Sequence, residues 1–407
     1  MRTILYAAAH GGFLKEKVPL GGGAAVFEHL LDEWSRQHIK VVPITPVVMG
    51  ANAPSGSDLV RFREKAYAHF SRAFEQAATA EIMRYDPADC VVLVNDVSEG
   101  PDFDKLAAKG YPIFTIYHVD VVAYVTSIYL REKILPETTV RWYKRLRWIM
   151  PKMAGLVWDK QQASVRASRG LIVPSSGMKD VLLRCYPECS PEKIHVVPWG
   201  IWASDEPPAN EAVQDLRREF GVPENADVLL TLSRISPEKG QDSFLEMLLE
   251  WEQRADYPDR PLWVFVCGEA AFMQGQRFLR RLQELAGRML RTKVVFPGYV
   301  TGARKQAFFA MADLYVFPSR HESYGLTLLE ALASGLPAVC LDTSGARSVM
   351  RAEFGALVQS REQMREAIGA LLADDVERQR RGHAAQAFAR GERFADRAAE
   401  LARLLVG

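Results

Sequence analysis

The sequence predicts an α/β protein built from two doubly wound parallel sheets. Short, continuously apolar runs recur along the chain, as expected for strands covered on both faces. Helix-length segments separate them, which argues for βαβ units. A Pro-rich acidic stretch without periodicity, ASDEPPANEA from Ala203 to Ala212, parts the strand signals into two sets.

The first set runs TILYAA from Thr3, KVVPIT from Lys40, CVVLVN from Cys90, PIFTIYHV from Pro112, GLIVPSS from Gly170 and KIHVVPWG from Lys193. The second runs VLLTLSR from Val228, WVFVCGE from Trp263, KVVFPGY from Lys293, DLYVFPS from Asp313 and AVCLDTS from Ala338. The boundary is placed just after Trp199-Gly200-Ile201, giving a first domain over 1–201 and a second over 202–385. The tail, 386–407, contains RFADRAAELARLLVG and reads as an Ala/Leu/Arg amphipathic helix directed back toward the first domain. Doubly wound sheets bind ligands beyond the carboxyl ends of their strands, so the two domains are expected to face each other across a cleft.

Composition excludes several classes. Lys and Arg number 51 against 50 Asp and Glu, so no global field draws the chain to nucleic acid. No stretch approaches the roughly 18 apolar residues of a membrane span. His10 and two glycines interrupt the first apolar run, which reads as a strand and not a leader, so a cytoplasmic location is expected. Cys90, Cys185, Cys189, Cys267 and Cys340 are scattered. No zinc pattern completes the Cys185/Cys189 spacing, and reduced core thiols are expected.

Three stretches carry chemistry. PLGGGAAVFEHLL places Gly21, Gly22 and Gly23 before a helical pattern, where bare amides and the helix dipole favour an anion. It is not a GxGxxG dinucleotide fingerprint, and a plain turn fits it as well as a ligand loop does. TLSRISPEKGQDSF delivers Arg234 at a strand's carboxyl end and Lys239 beside Gly240. Two cations there suit a diphosphate leaving group. RHESYGLTLLEALASGLPAV puts Glu322 in a loop after a strand and Glu330 in the second turn of a helix opened by Gly325. Carboxylates accept paired hydroxyl hydrogen bonds, as sugars and ribose require. An unpartnered Glu330 in that apolar helix would be costly.

Together the early glycines, SRISPEKG, FPGYV and the E-x7-E stretch resemble the retaining GT-B glycosyltransferases, specifically glycosyltransferase family 4. The resemblance is nearly continuous from Val228 to Ser344 and patchy in the first domain. It implies the GT-B fold and a nucleotide-sugar donor, most simply a UDP-sugar. It implies transfer to a hydroxyl of a small molecule, glycan or lipid-linked acceptor, with retention and with no metal or other cofactor. By the same resemblance Arg234 and Lys239 hold the diphosphate, aided by Gly22 and the helix start at Gly325, Leu326 and Thr327. Glu330 would take the ribose and Glu322 the donor sugar, flanked by Ser323 and Tyr324. Gly298, Tyr299 and Val300 would present backbone to the base. His118, at a first-domain strand end, matches the family's histidine beside the donor sugar. Asp120, His10 and the Lys15–Lys17 loop are candidates for the acceptor side.

The chain departs from the family where Asn is usual in VxPNG and Trp199 stands instead. Asp102-Phe103-Asp104 spells the D-x-D metal signature of the other glycosyltransferase fold, but its context reads as a helix N-terminus, where Asp is favoured anyway. Between 127 and 169 lie ten basic and three acidic residues, with Trp142, Tyr143 and Trp148 among them. Peripheral membrane contact, acceptor binding and a solvated helix all fit that segment. The rival readings of the whole chain are a nucleotide-sugar epimerase, a phosphorylase with a pyridoxal-phosphate lysine, and a catalytically silent binding protein on the same fold.

Overall fold

Each of the eleven apolar runs contains a strand, and a twelfth strand joins them. The computed structural model describes residues 2–13, 21–62, 64–119, 135–146, 148, 152–202, 210–270 and 272–407. They form two units, Met1–Trp199 with Phe394–Gly407, and Gly200–Arg393.

The first unit begins with β1 (Thr3–Ala7), α1 (Gly22–Arg36), β2 (Val41–Ile44), α2 (Gly56–Arg61) and α3 (Glu64–Ile82). It continues with β3 (Cys90–Val94), α4 (Phe103–Ala108), β4 (Ile113–Ile116), α5 (Pro136–Leu146) and α6 (Lys152–Ala167). β5 (Gly170–Val173), α7 (Ser176–Cys185) and β6 (Ile194–Val196) complete the sheet, in the order β2-β1-β3-β4-β5-β6 with every pair parallel. Every residue of β1 and β3 is buried, which is why these strands lack polar alternation.

The second unit contains α8 (Asn210–Phe220), β7 (Asp227–Leu232), α9 (Gln241–Trp251), β8 (Leu262–Cys267), α10 (Phe272–Ala286) and β9 (Thr292–Gly298). Then come α11 (Gly302–Met311), β10 (Leu314–Phe317), α12 (Leu326–Ala333), β11 (Ala338–Leu341) and α13 (Ser344–Val349). β12 (Gly355–Val358), α14 (Arg361–Ala373) and α15 (Asp375–Arg390) close it. Its order is β12-β11-β10-β7-β8-β9, again parallel throughout. β12 escaped the sequence reading because GALV sits on the sheet's edge with two of its four residues not fully buried, so it carries no continuous apolar run.

The tail differs from its expected bounds. Residues 386–390 finish α15, where Phe388 stacks on Phe354 at 5.1 Å, and Gly391 ends the helix. The last helix, α16 (Phe394–Val406), belongs to the first unit. There Trp34 Nε1 donates to the Ala398 carbonyl at 2.8 Å.

All five cysteines are buried free thiols. No described helix is long and apolar enough to cross a membrane. Asp120, Lys15–Lys17, and 127–134, 147 and 149–151 of the basic segment lie outside the described residues.

Candidate functional site

In each sheet the strand order reverses once, between β1 and β3 in the first unit and between β7 and β10 in the second. Such switch points open a crevice at the strands' carboxyl ends, where doubly wound proteins bind ligands. Most of the described sequence-predicted residues gather at these two places, while Gly298–Val300 lie at the end of β9, the edge strand.

In the second unit β7 ends at Leu232 and hands the chain to Arg234, a 3-10 turn over Pro237–Lys239, and Gly240. Gly240 has φ +67°, and a Cβ there would stand 2.0 Å from the Pro318 carbonyl oxygen. Only glycine lets this turn lie against the loop after β10. Arg320 N donates to the Glu238 carbonyl at 2.9 Å and Arg320 Nη1 to that of Pro237 at 2.8 Å. The interlock brings Lys239 Nζ to Glu322 Oε2 at 2.7 Å.

Arg234 lies on the same turn, 3.7 Å from Glu238 Oε1. Glu238 was missed by the sequence reading. Its carboxyl is buried and accepts from Ser236 Oγ at 2.5 Å. Burial acts to raise its pKa, but Arg234, Ser236 and Lys239 together bring it below its usual value. The two cations thus stand around one buried anion.

Gly325, at φ +92°, caps α12, whose Leu328, Leu329, Ala331 and Leu332 are buried. Glu330 is buried in the same helix and meets Lys305 Nζ of α11 at 2.6 Å. Thr327 Oγ1 lies 2.9 Å from the Tyr315 hydroxyl, itself 3.0 Å from the Leu232 carbonyl at the end of β7. Ser323 N donates to Glu322 Oε1 at 3.3 Å, and Tyr324 is buried beside it. Leu326 begins the helix. Gly298 (φ +80°) ends β9 and its carbonyl accepts from Gly268 N at 2.8 Å. Val300 behind it is buried, while Tyr299 remains 41 % exposed. Burial raises the Tyr299 phenol pKa, and the charges of Glu269 and Glu330 add to it. A cavity of about 280 Å³ lies beside Gly298, walled by Ile235, Glu269, Gln276, Gln283 and Phe296. The two expected glutamates therefore occupy one switch point but rest on different lysines.

In the first unit, His10 follows β1, Asn95, Asp96 and Glu99 follow β3, and His118 follows β4. His118 Nε2 lies 2.9 Å from Asn95 Oδ1, which also accepts the Tyr6 hydroxyl at 2.7 Å. Asn95 Nδ2 reaches the Gly23 carbonyl at 3.3 Å. A Cβ on Gly23 would meet His118 Cδ2 at 2.9 Å, so the third glycine of the triplet admits the imidazole. Gly21, at φ +95°, caps α1, and Gly22 opens it.

Burial brings the His118 pKa down to about 4 against an ordinary 6.5, and the opposing pull of Asp96 is too weak to restore it. His118 is neutral at pH 7. With Asn95 Oδ1 accepting, the proton sits on Nε2. Trp199 stacks on the His118 ring at 5.8 Å, so the departure from the family's Asn bears directly on this histidine.

His10 Nδ1 pairs with Asp96 Oδ1 at 3.2 Å. Burial acts to raise the Asp96 pKa, and His10 and His118 hold it below normal; burial raises Glu99. The ligand atoms of His10, Asp96 and Glu99 lie within 4.8 Å of one another. Asn95, Asp96 and Glu99 were not singled out from sequence, although Asn-Asp directly after the buried CVVLV marked a strand's carboxyl end. The D-x-D pair is structural: Asp102 caps α4 by accepting from Lys105 N, and Asp104 pairs with Arg166 at 2.6 Å.

With that geometry in place, residues 212–388 match the family described as glycosyl transferases group 1. This part of the chain is a glycosyl transferases group 1 domain. Among relatives, a D-inositol 3-phosphate glycosyltransferase of Xylanimonas cellulosilytica is 29% identical over 59% of this chain and 57% of its own. A mannosylfructose-phosphate synthase of Agrobacterium fabrum is 33% identical over 39% of this chain and 35% of its own. The chain thus spans about half or less of these curated relatives' length.

Solved structures cover the whole fold. Sucrose-phosphate synthase from Thermosynechococcus elongatus matches with a TM-score of 0.75 at 18% identity, covering 99% of this chain and 98% of its own. Anabaena HepE in complex with UDP and glucose matches with a TM-score of 0.69 at 17% identity, covering 100% and 99%. The glycosyl transferases group 1 domain therefore sits in a two-domain, Rossmann-like GT-B fold, as the sequence predicted.

Proposed function

We propose that the protein transfers a sugar from a nucleoside diphosphate sugar to an acceptor hydroxyl with retention at the anomeric carbon. The observation that carries this reading is the second unit's switch point, where Arg234, Lys239, Glu322 and Glu330 converge at the ends of β7 and β10. Arg234, Lys239 and the amides at the start of α12 would hold the diphosphate. Electrostatic stabilisation of the leaving group is among the largest contributions to such chemistry. Glu322 would bind donor-sugar hydroxyls and Glu330 the ribose. Gly298–Val300 would present backbone to the base.

In the step itself, the bond between the anomeric carbon and the diphosphate oxygen breaks and its electrons leave with the diphosphate. The acceptor oxygen bonds the same carbon from the same face. Its proton passes to the departing diphosphate oxygen. Charge neutralisation comes from Arg234 and Lys239, so no metal is required in this scheme. In the first unit, neutral His118 would contact a sugar hydroxyl, and His10 the acceptor. The exposed aromatics of the basic segment, Trp142 and Trp148, would give the first unit a peripheral membrane contact.

A thermal-shift panel of UDP-, GDP- and ADP-glucose tests the donor class. A ligand confined to the folded state stabilises it by RT ln(1 + [L]/Kd). UDP-glucose is expected to raise the midpoint, as the like-folded HepE holds UDP and glucose. Incubation with an acceptor such as a sugar phosphate should then release UDP. A panel in which no nucleotide sugar shifts the midpoint would sink the reading. Conversion of the donor to an isomeric nucleotide sugar would favour the epimerase.

A further inference from the structure

Glu330 occupies an awkward place for a charge, in the second turn of a helix whose neighbouring residues are apolar and buried. A carboxylate there needs a partner. Among the described residues the one hydrogen bond to its side chain comes from Lys305 Nζ, to Oε1 at 2.6 Å. No described residue bonds Oε2. The adjacent cation, Arg304, turns elsewhere and grips Glu219 with both guanidinium nitrogens at 2.8 and 2.7 Å. Lys305 alone of this pair faces the switch point.

The placement of Lys305 has a consequence for the ligand. Its helix, α11, begins two residues after Val300, so the turn assigned to the base and the lysine share one short segment. A carboxylate oxygen has two acceptor sites. With one site on Oε1 filled by Lys305, the remaining site there and those on Oε2 are left for hydroxyls, in a fixed orientation. A flexible carboxylate would have to be ordered by the ligand itself, which weakens binding.

We infer that Lys305 is a positioning residue for the nucleotide: it fixes Glu330 so that the carboxylate accepts the ribose 2′- and 3′-hydroxyls of the donor. This rests on the donor reading above. It assigns ribose selectivity to a Lys–Glu pair, where the motif alone assigns it to the glutamate.

The test compares UDP with 2′,3′-dideoxyuridine diphosphate by isothermal titration on the full chain. Lys305→Met should weaken UDP about tenfold, the usual scale for losing a charged hydrogen bond. It should change the dideoxy analogue by less than about twofold, since that ligand lacks the hydroxyls Glu330 would accept. Lys305→Arg should recover part of the UDP affinity, and Glu330→Gln should lose the preference for UDP over the analogue. Adding Lys305→Met to Glu330→Gln should cost nothing further.

Equal weakening of both ligands would make Lys305 a phosphate or packing residue and overturn the inference, as would unchanged UDP binding. Should Lys305→Met not fold, Lys305→Gln takes its place: a preference for UDP reduced toward that of Glu330→Gln keeps the inference, and an unreduced preference overturns it. If the wild type binds none of UDP, GDP and ADP, both the donor reading and this inference fall. Wild-type binding without the predicted selectivity loss takes down the inference alone.

Discussion

The two switch points handle charge in opposite ways. In the second unit the two expected acids each have a lysine, Glu322 with Lys239 and Glu330 with Lys305. In the first unit, Asp96, Glu99, His10 and His118 cluster: burial moves Glu99 up and His118 down, while the histidines hold Asp96 below normal. Paired ions can exchange partners when a charged ligand arrives. Buried, hydrogen-bonded groups instead fix a proton on a particular atom. The first arrangement suits gripping a diphosphate sugar, the second suits holding a neutral imidazole in one orientation.

The largest effect should come from breaking the second unit's charges. Arg234→Ala is expected to lower turnover by about a hundredfold or more, the usual scale for losing one stabiliser of developing negative charge. Its melting point should fall only modestly, because Arg234 is partly exposed but is the first charge holding the buried Glu238 carboxyl below its usual pKa. Steady-state kinetics with UDP-glucose, beside a melting curve, check this. A variant that melts early but turns over normally would make the cluster a fold-holding device.

The first unit should answer to pH. His118 is held at about 4 by burial, below its ordinary 6.5. The unfolded chain therefore takes up a proton that the folded chain refuses between these values. The associated stability is fully present above about pH 6.5 and is lost as pH falls toward about 4. Unfolding free energies from urea titrations of the wild type and His118→Asn should converge over that window, with a change on the order of 3 kcal/mol. A difference that stays constant with pH would show that His118 titrates normally and is not buried as neutral.

The same contrast governs how much could be read from sequence. The second unit's site was legible because its parts are local: a strand, a short loop and a helix start carry Arg234 with Lys239, and again Glu322 with Glu330. Burial of a continuous apolar strand fixes where such a loop emerges, so the spacing alone places the side chains. Lys305 and Glu238 were not legible, since their roles depend on α11 meeting α12 and on one turn meeting the loop after β10. The first unit's cluster is assembled from three strand ends, at His10, Asn95–Glu99 and His118. Only His118, through resemblance, and His10, in its unusual loop, stood out. The role of Trp199 was equally hidden, for stacking on His118 is a tertiary fact.

The smallest expected effect concerns the outer face of the first unit. In α5, Val140 and Tyr143 turn inward, and Tyr143 stacks on Trp158 at 5.3 Å. Arg141, Trp142 and Arg145 are exposed on the same helix, and Trp148 beyond it is 83 % exposed. Among the described residues both exposed tryptophans lie in this unit. Inward packing of Tyr143 removes one aromatic from the surface, so the helix offers cations and indoles together, the composition that favours an anionic interface. Pelleting with phosphatidylserine vesicles should appear at about 0.01 M salt and fade toward 1 M, as the screening length shrinks from about 30 to about 3 Å. Trp142→Ala with Trp148→Ala should lower the bound fraction several-fold while UDP-glucose binding in the second unit is unchanged. Absence of pelleting at the lowest salt would return these tryptophans to the acceptor side or to solvent, and the two units would then differ only in how each holds its charge.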